Sequence, residues 1–490
     1  MFEPAPAQVF VRRPYYAWLV VGTVCIGTFI GQIDASIVQL ALPSLEDAFD
    51  APLDAVSWVA LGYLLAFASV LPVFGRLAEI AGRKTLYLSG FALFGLWSAL
   101  CGLAPSLPVL IGFRILQGMS GALLGANSVV ILVAAAGPAR RGQALGIMSA
   151  AQAVGLSIGP ALGGVLLGTL GWRWIFWVTV PFAVLGTALG WLIVPKTTTF
   201  SGDRRFDLPD AILLVPALAA LLLAISEFQA WGLSAPLIAC AVAAPLLLGG
   251  FIWRESRAPA PLINLSLFRS AAFSAGSVGV LVSYGMLYGM FFAMSFALVR
   301  GYHDQPLAAG LRLTIVPVAL GLVAPFSGAL SDKRPRLLML AGMAFCVASA
   351  MALTRLLDGT PGSLAGVMVG LAAFGVGLGL FIAPNNNATM SAAPADKSGV
   401  AGGLLNLLRV SGGGVGIAAS SAVLAWGLES ATGVHERSAG APETALLAAA
   451  GDVLILLALF GALGAAMALI RSDPKADARE AVGAGAPKPS

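Results

Sequence analysis

Five ionisable residues interrupt long apolar runs of this chain: Asp34, Arg114, Glu227, Arg409 and Asp452. A charge at the centre of a hydrocarbon layer costs about 2.5–3.5 kcal/mol on insertion scales, so each calls for a partner or a task. Asp34 lies in GQIDASIVQLALP. A carboxyl group in a partly desolvated, water-reached cavity can exchange protons near neutral pH and attract a cationic substrate; the alternative is a structural partner for an amide or an arginine. Arg114, with Gln117 one turn along, can hold a backbone carbonyl or a carboxylate of the first span, tying proton state to helix position, or act as a plain tether. Glu227 fits either proton handling or snorkelling to headgroups. Arg409 and Asp452 are buried polar groups of the C-terminal part, and Arg409 reads as a tether or as a group facing an anion. Gln32, Tyr63, Gln117, Asn127, Tyr284, Asn385 and Asn386 lie at comparable depth and are candidates for a pocket wall. His303 and His435 fall in loops, and the four cysteines stand at wide, unrelated spacings, so no metal site, cofactor or enzymatic centre is expected.

The elements that must position these groups follow from composition. The chain has 490 residues, 58% hydrophobic and 10% charged. Soluble domains carry roughly 25% charged residues, so this surface needs a bilayer as solvent. The basic residues are dispersed through loops, which argues against a nucleic-acid partner. Charge clusters and Pro/Gly breaks delimit spans at 15–43, 54–76, 84–104, 107–136, 140–169, 172–194, 209–231, 234–253, 271–299, 305–330, 336–357, 361–391, 397–428 and 443–470. The first span carries Asp34 and is too long for a cleavable signal. Of the 28 Lys and Arg, 21 fall on the side of the termini and at most five on the other, which places both termini in the cytoplasm.

The chain repeats itself. GRLAEIAGRK from Gly75 aligns with GALSDKRPRL from Gly328 at an offset of 253. GQALGIMSAAQAVGLSIG from Gly142 aligns with GVAGGLLNLLRVSGGGVG from Gly399 at 257, which sets Gln152 against Arg409. The expected architecture is therefore all-α: a six-helix bundle over 1–195, two inserted helices with linkers over 196–265, a second six-helix bundle over 266–471, and a disordered tail over 472–490. In the first repeated loop, Gly75 and Gly82 suit a tight turn, and Glu79, Arg83 and Lys84 could lock one arrangement of the halves, with Asp332 and Arg336 as their repeat. Gly155, Gly159, Pro160 and Gly163 combine close helix approach with a kink, as a gate would need.

At these residues the chain resembles the major facilitator superfamily, in particular its fourteen-helix drug:proton antiporters. Gly75–Lys84 is similar to the signature between spans 2 and 3, Arg114, Gln117 and Gly118 to the span 4 motif, and Gly155–Gly164 to the span 5 motif of exporters. Asp34–Pro43, WRWIFWVTVPF from Trp172, PLINLSLFR from Pro261 and the stretch at Arg409 extend the likeness over about 15–470. The chain departs from the pattern at Glu79, where aspartate is usual, at Ile80, where a basic residue is usual, and at Pro335 in the second copy, where glycine is usual. The resemblance implies the major facilitator fold, two bundles rocking about a central site, and protons as the energy source. Asp34 and Arg114 would handle the proton, and the span 5 motif would direct export. The expected protein is a monomer in the cytoplasmic membrane that exports lipophilic drugs or toxic small molecules, cations included. The rival readings are an exporter of one endogenous metabolite and a transporter-like sensor.

Overall fold

Hydrocarbon offers no hydrogen bonds to a backbone, so each apolar run must satisfy its own amides and carbonyls as a helix. A computed structural model describes residues 3, 5–197, 208–227, 234–258, 264–331, 333–394, 397–433, 438 and 440–470. Its long helices are α1 (Tyr16–Phe49), α2 (Leu53–Ala81), α3 (Arg83–Gly102), α4 (Leu107–Ala136), α5 (Arg141–Thr169), α6 (Val180–Ile193) and α7 (Leu208–Ser226). They continue with α8 (Ala235–Glu255), α9 (Ala271–Phe296), α10 (Pro306–Leu330), α11 (Pro335–Leu356), α12 (Leu364–Ser391), α13 (Ser398–Thr432) and α14 (Glu443–Ile470). Among the described residues, 13 helical segments are long and apolar enough to cross a membrane, and α7 adds a shorter apolar stretch, Leu213–Ile225.

The expected span at 172–194 is broken into a short helix, Trp174–Trp177, and α6. Pro181 sits in the first turn of α6, where its missing N–H does no harm, so the helix restarts there. The turn between α2 and α3 needs Gly82: its φ is 103°, and a side chain there would run into the Glu3 carboxylate. The expected end of the seventh span, the tail 472–490 and Asp332 lie outside the described residues.

Helix pairing is the same in the two halves. In the first, α1 packs on α4, α5 and α6, and α4 on α2 and α3. In the second, α9 packs on α12, α13 and α14, and α12 on α10 and α11. Glycines at repeat-related positions set both central pairs. A side chain at Gly155 would press on the Phe29 carbonyl of α1, and one at Gly412 on the Leu281 carbonyl of α9. The halves meet through α5–α10, α2–α13 and α1–α9. The inserted α7 and α8 pair with each other, and α7 rests on α2 and α13, along one seam between the halves. The core runs through α9, whose apolar window is 89% buried against 17% for α8.

The α5–α10 seam closes the side away from the termini. A side chain at Gly164 would come within 2.5 Å of the Pro306 carbonyl, and one at Gly310 would strike the Pro160 carbonyl and Gly164 itself. Gly310→Leu is expected to wedge these ends apart. Spin labels at the exposed positions Leu170 and Gln305 should then report a longer, broader distance distribution; an unchanged distribution would show that the seam tolerates bulk.

Candidate functional site

The site begins with a charge pair inside the first half. Asp34 on α1 is 0% exposed and Arg114 on α4 is 1% exposed. Arg114 Nη1 donates to Asp34 Oδ2 at 2.7 Å and to Gln117 Oε1 at 2.7 Å, and Nε donates to the Val59 carbonyl of α2 at 2.9 Å. Gln117 Nε2 donates to Asp34 Oδ1 at 2.9 Å and to Ser98 Oγ of α3 at 2.7 Å. The Ser98 hydroxyl in turn meets that of Thr179, which precedes α6. Both carboxylate oxygens are thus engaged, in a network that touches α1, α2, α3, α4 and the start of α6. Gly118 makes room for it, because any side chain there would strike the Tyr63 carbonyl.

Asp34, Arg114 and Gln117 are therefore neighbours, as their types and spacing suggest. The expectation that water reaches Asp34 is corrected. The carboxylate is sealed within one half, because a guanidinium neutralises it and the Tyr63 ring, 4.3 Å from that guanidinium, stands between the pair and the central space.

That space is a narrow cavity of about 60 Å³, well below the volume of a site that holds a drug-sized ligand, so its wall must move to admit one. Its wall takes Gly31, Gln32 and Ala35 from α1, Tyr63 and Phe67 from α2, Phe94 from α3, Gly121 and Gly125 from α4, and Gln152 from α5. The second half supplies Tyr288 from α9 and Arg409 from α13. Gly125 leaves room for the Phe67 ring, whose Cζ would lie 2.7 Å from a side chain there.

The two ends of the molecule differ. Away from the termini, Arg300, just beyond α9, donates to the Pro43 carbonyl at 2.9 Å and to Asp47 at 2.6 Å, and lies 3.7 Å from Glu46 Oε2. Glu46 on α1 is 0% exposed and accepts from the Ser438 backbone N–H at 2.6 Å and from its hydroxyl. These contacts bind the halves together. Toward the termini, side chains added at Gly142, Gly146, Gly399, Gly402 or Gly403 would meet nothing. The ties between the halves named here thus lie on the far side, and there is open space beside these glycines toward the termini.

The description of the Major Facilitator Superfamily matches residues 24–417. The chain belongs to this superfamily. It is 30% identical over 393 residues to the riboflavin transporter RibZ of Clostridioides difficile, covering 80% of this chain and 85% of RibZ. It is 33% identical over 407 residues to the multidrug resistance protein Stp of Mycobacterium tuberculosis, covering 82% and 74%. A bacterial homologue of the human lysosomal transporter Spinster shares the fold, with a TM-score of 0.66 at 16% identity over 94% of this chain and 99% of that one. The protein is a multi-pass membrane transporter.

Other candidates occupy different places in this facilitator. Glu227 accepts from the Trp58 indole at 2.6 Å, joining the end of α7 to the far-side end of α2, apart from the Asp34 network. Asp452 borders a separate surface recess with Asp358 and Thr354. Asn127 is buried and donates to the Leu123 carbonyl of its own helix. Asn385 ties α12 to the Gly276 carbonyl of α9, Asn386 is half-buried away from the cavity wall, and the Tyr284 ring lies beneath Arg409. Gly155 and Gly163 pack on Gln32 and Ile37 of α1, and a side chain at Gly159 would overlap the Ser36 hydroxyl.

In this arrangement the charges expected to form a lock between halves at the first repeated loop have partners in their own half. Glu79 pairs with Arg76 at 2.7 Å and Arg83 at 3.4 Å in its own segment, and Lys84 donates to the carbonyls of Trp191 and Val194 in its own half. Arg336 is exposed, and Gly75 faces open space. The far-side contacts of Glu46, Asp47 and Arg300 went unnoticed in the sequence because charges at span ends read as headgroup anchors. Gln152 and Tyr288 were missed too, although the repeat that sets Gln152 against Arg409 points to a shared site.

Removing one partner of a buried ion pair costs about 3–5 kcal/mol, because the other charge stays behind unpaired. Asp34→Asn and Arg114→Gln should each lower the melting temperature of the purified protein. The double variant should melt above either single one; additive losses would mean that the two charges do not compensate each other.

Proposed function

We propose that the protein exports lipophilic small molecules in exchange for protons, alternating between the arrangement described above and one open on the far side. The observation that carries this reading is the Asp34–Arg114 pair set directly behind the wall of a cavity shared by both halves. Gln32 and Ala35 of the wall flank Asp34 on α1, so a change at the carboxylate moves the wall. A proton on Asp34 removes the charge that holds Arg114 Nη1. Arg114 keeps its bond to the Val59 carbonyl, and the polar tie of α1 to α4 is reduced to the Gln117 amide on Asp34 Oδ1. The far-side contacts of Arg300 with Glu46 and Asp47 must then part for release.

The excess of Lys and Arg on the terminal side puts that side in the cytoplasm, so the cavity opens inward and loads from within. Such a protein works as a monomer in the cytoplasmic membrane, with the proton gradient as its energy source. Each charge moved across the membrane contributes about 2.3 kcal/mol per 100 mV. The resemblance to a protein named for multidrug resistance supports a broad substrate range. The resemblance to one named for riboflavin favours a second reading, a transporter dedicated to one metabolite.

The test uses proteoliposomes containing an entrapped pH indicator. Adding carboxyfluorescein or its cationic xanthene counterpart, tetramethylrhodamine methyl ester, should move protons through wild-type protein beyond the signal of protein-free vesicles. Dye transport should accelerate under an imposed pH gradient. Both responses should vanish in Asp34→Asn and in the better-folded Asp34→Asn/Arg114→Gln variant. A gradient response that persists in the double variant would exclude Asp34 as the proton carrier.

A further inference from the structure

Two arginines lie inside this membrane protein, and their surroundings differ. Arg114 is matched by Asp34, and their charges cancel behind the wall. Arg409 is half-buried on the cavity wall itself. Its Nη2 donates to the Asn406 amide oxygen at 2.7 Å, and its guanidinium lies 5.8 Å from the Tyr284 ring. Among the described residues no carboxylate pairs with it, and none lines the cavity. A guanidinium has five N–H donors, so a neutral amide and a ring leave most of its capacity unused. A charge within the hydrocarbon layer that has no counter-charge is costly, and an incoming anion would offset that cost.

The rest of the wall suits a planar body. Tyr63, Phe67 and Tyr288 present rings, and Gln32 and Gln152 present amides that can donate or accept at its edge. Gln152 and Arg409 are repeat-related, so the two halves offer one neutral and one cationic group at equivalent points.

We propose that the cavity takes an anionic aromatic ligand, an acid on a planar ring system, whose negative group pairs with the Arg409 guanidinium. The proposal rests on the reading of this cavity as the transport site. It reverses the attraction for cations that Asp34 alone would suggest, because that carboxylate is already neutralised out of the cavity's reach. Arg409 lies on α13 and Gln32 on α1, so an anion held between them bridges the two halves.

The experiment measures equilibrium binding to the full-length protein in nanodiscs by fluorescence anisotropy, at fixed pH and with no gradient. Carboxyfluorescein and tetramethylrhodamine methyl ester share a xanthene core and differ in charge. The anion should bind more tightly by about tenfold or more, the scale of one charge-assisted hydrogen bond. Arg409→Gln should abolish that preference, Arg409→Lys should keep part of it, and Gln152→Glu should reverse it through an acid placed on the wall. Gln152→Glu leaves Arg409 in place and so guards against a variant that merely fails to fold. Absence of saturable carboxyfluorescein binding, tighter binding of the cation by wild type, or an anion preference that survives Arg409→Gln would each overturn the proposal. Because no proton gradient is involved, such a failure leaves exchange through Asp34 standing, and a failure of that exchange leaves this binding result intact.

Discussion

Everything in this molecule is subordinate to one constraint: a charge inside a bilayer must find its partner inside the protein. Asp34 and Arg114 meet that constraint completely. Two carboxylate oxygens and a guanidinium are satisfied by one another, by Gln117 and by a backbone carbonyl. The pair gathers α1, α2 and α4 around a single point and fixes the first half. In the proposed exchange, a single proton on Asp34 leaves Arg114 without its counter-charge. The pair is a clasp within the first half, and the proposed exchange makes it a switch as well, one ring behind the cavity wall.

Close helix approach is the second requirement, and glycine supplies it in two ways. Along α5, Gly155, Gly159 and Gly163 let α1 lie against the backbone, which sets the face of α1 that carries Gln32 and Ala35 toward the cavity. At its far end, Gly164 of the same helix lets α10 approach from the other half. One helix therefore serves both the rigid packing within a half and the contact across halves. Near the termini, side chains added at Gly142 and Gly146 of the same helix would meet nothing.

Much of the fold was legible in the sequence because hydrocarbon leaves a chain few choices: apolar length and flanking charge determine spans, and matched glycines reveal the repeat. The pairing of Asp34 with Arg114 was legible for the same reason, since two opposite charges in apolar runs seek each other. The depth of Asp34 relative to water was not. It depends on the Tyr63 ring crossing over Arg114, a tertiary contact that no spacing encodes. The Glu79 segment misled for a different reason. Its charges can serve either their own loop or the opposite half, and the state of the molecule decides which. The Glu46–Ser438 contact joins residues 392 apart in the chain, beyond any local pattern.

The two arginines show how one residue type divides its labour. In Arg114 the charge is cancelled inside a half, so it can be released only by a change in the carboxylate's own proton. In Arg409 the charge is left facing the shared cavity, so it can be cancelled only by something that enters. The exchange of a proton for an acid proposed above would use both arrangements at once, one charge matched within a half and the other facing the cavity. The repeat allows this because duplication provides two equivalent helices per position. In this chain the span that carries Asp34 has no acidic counterpart at its repeat-related position, and the wall position of Arg409 is a neutral glutamine in the other half. The asymmetry between the halves, rather than their likeness, is what gives the shared cavity its sign.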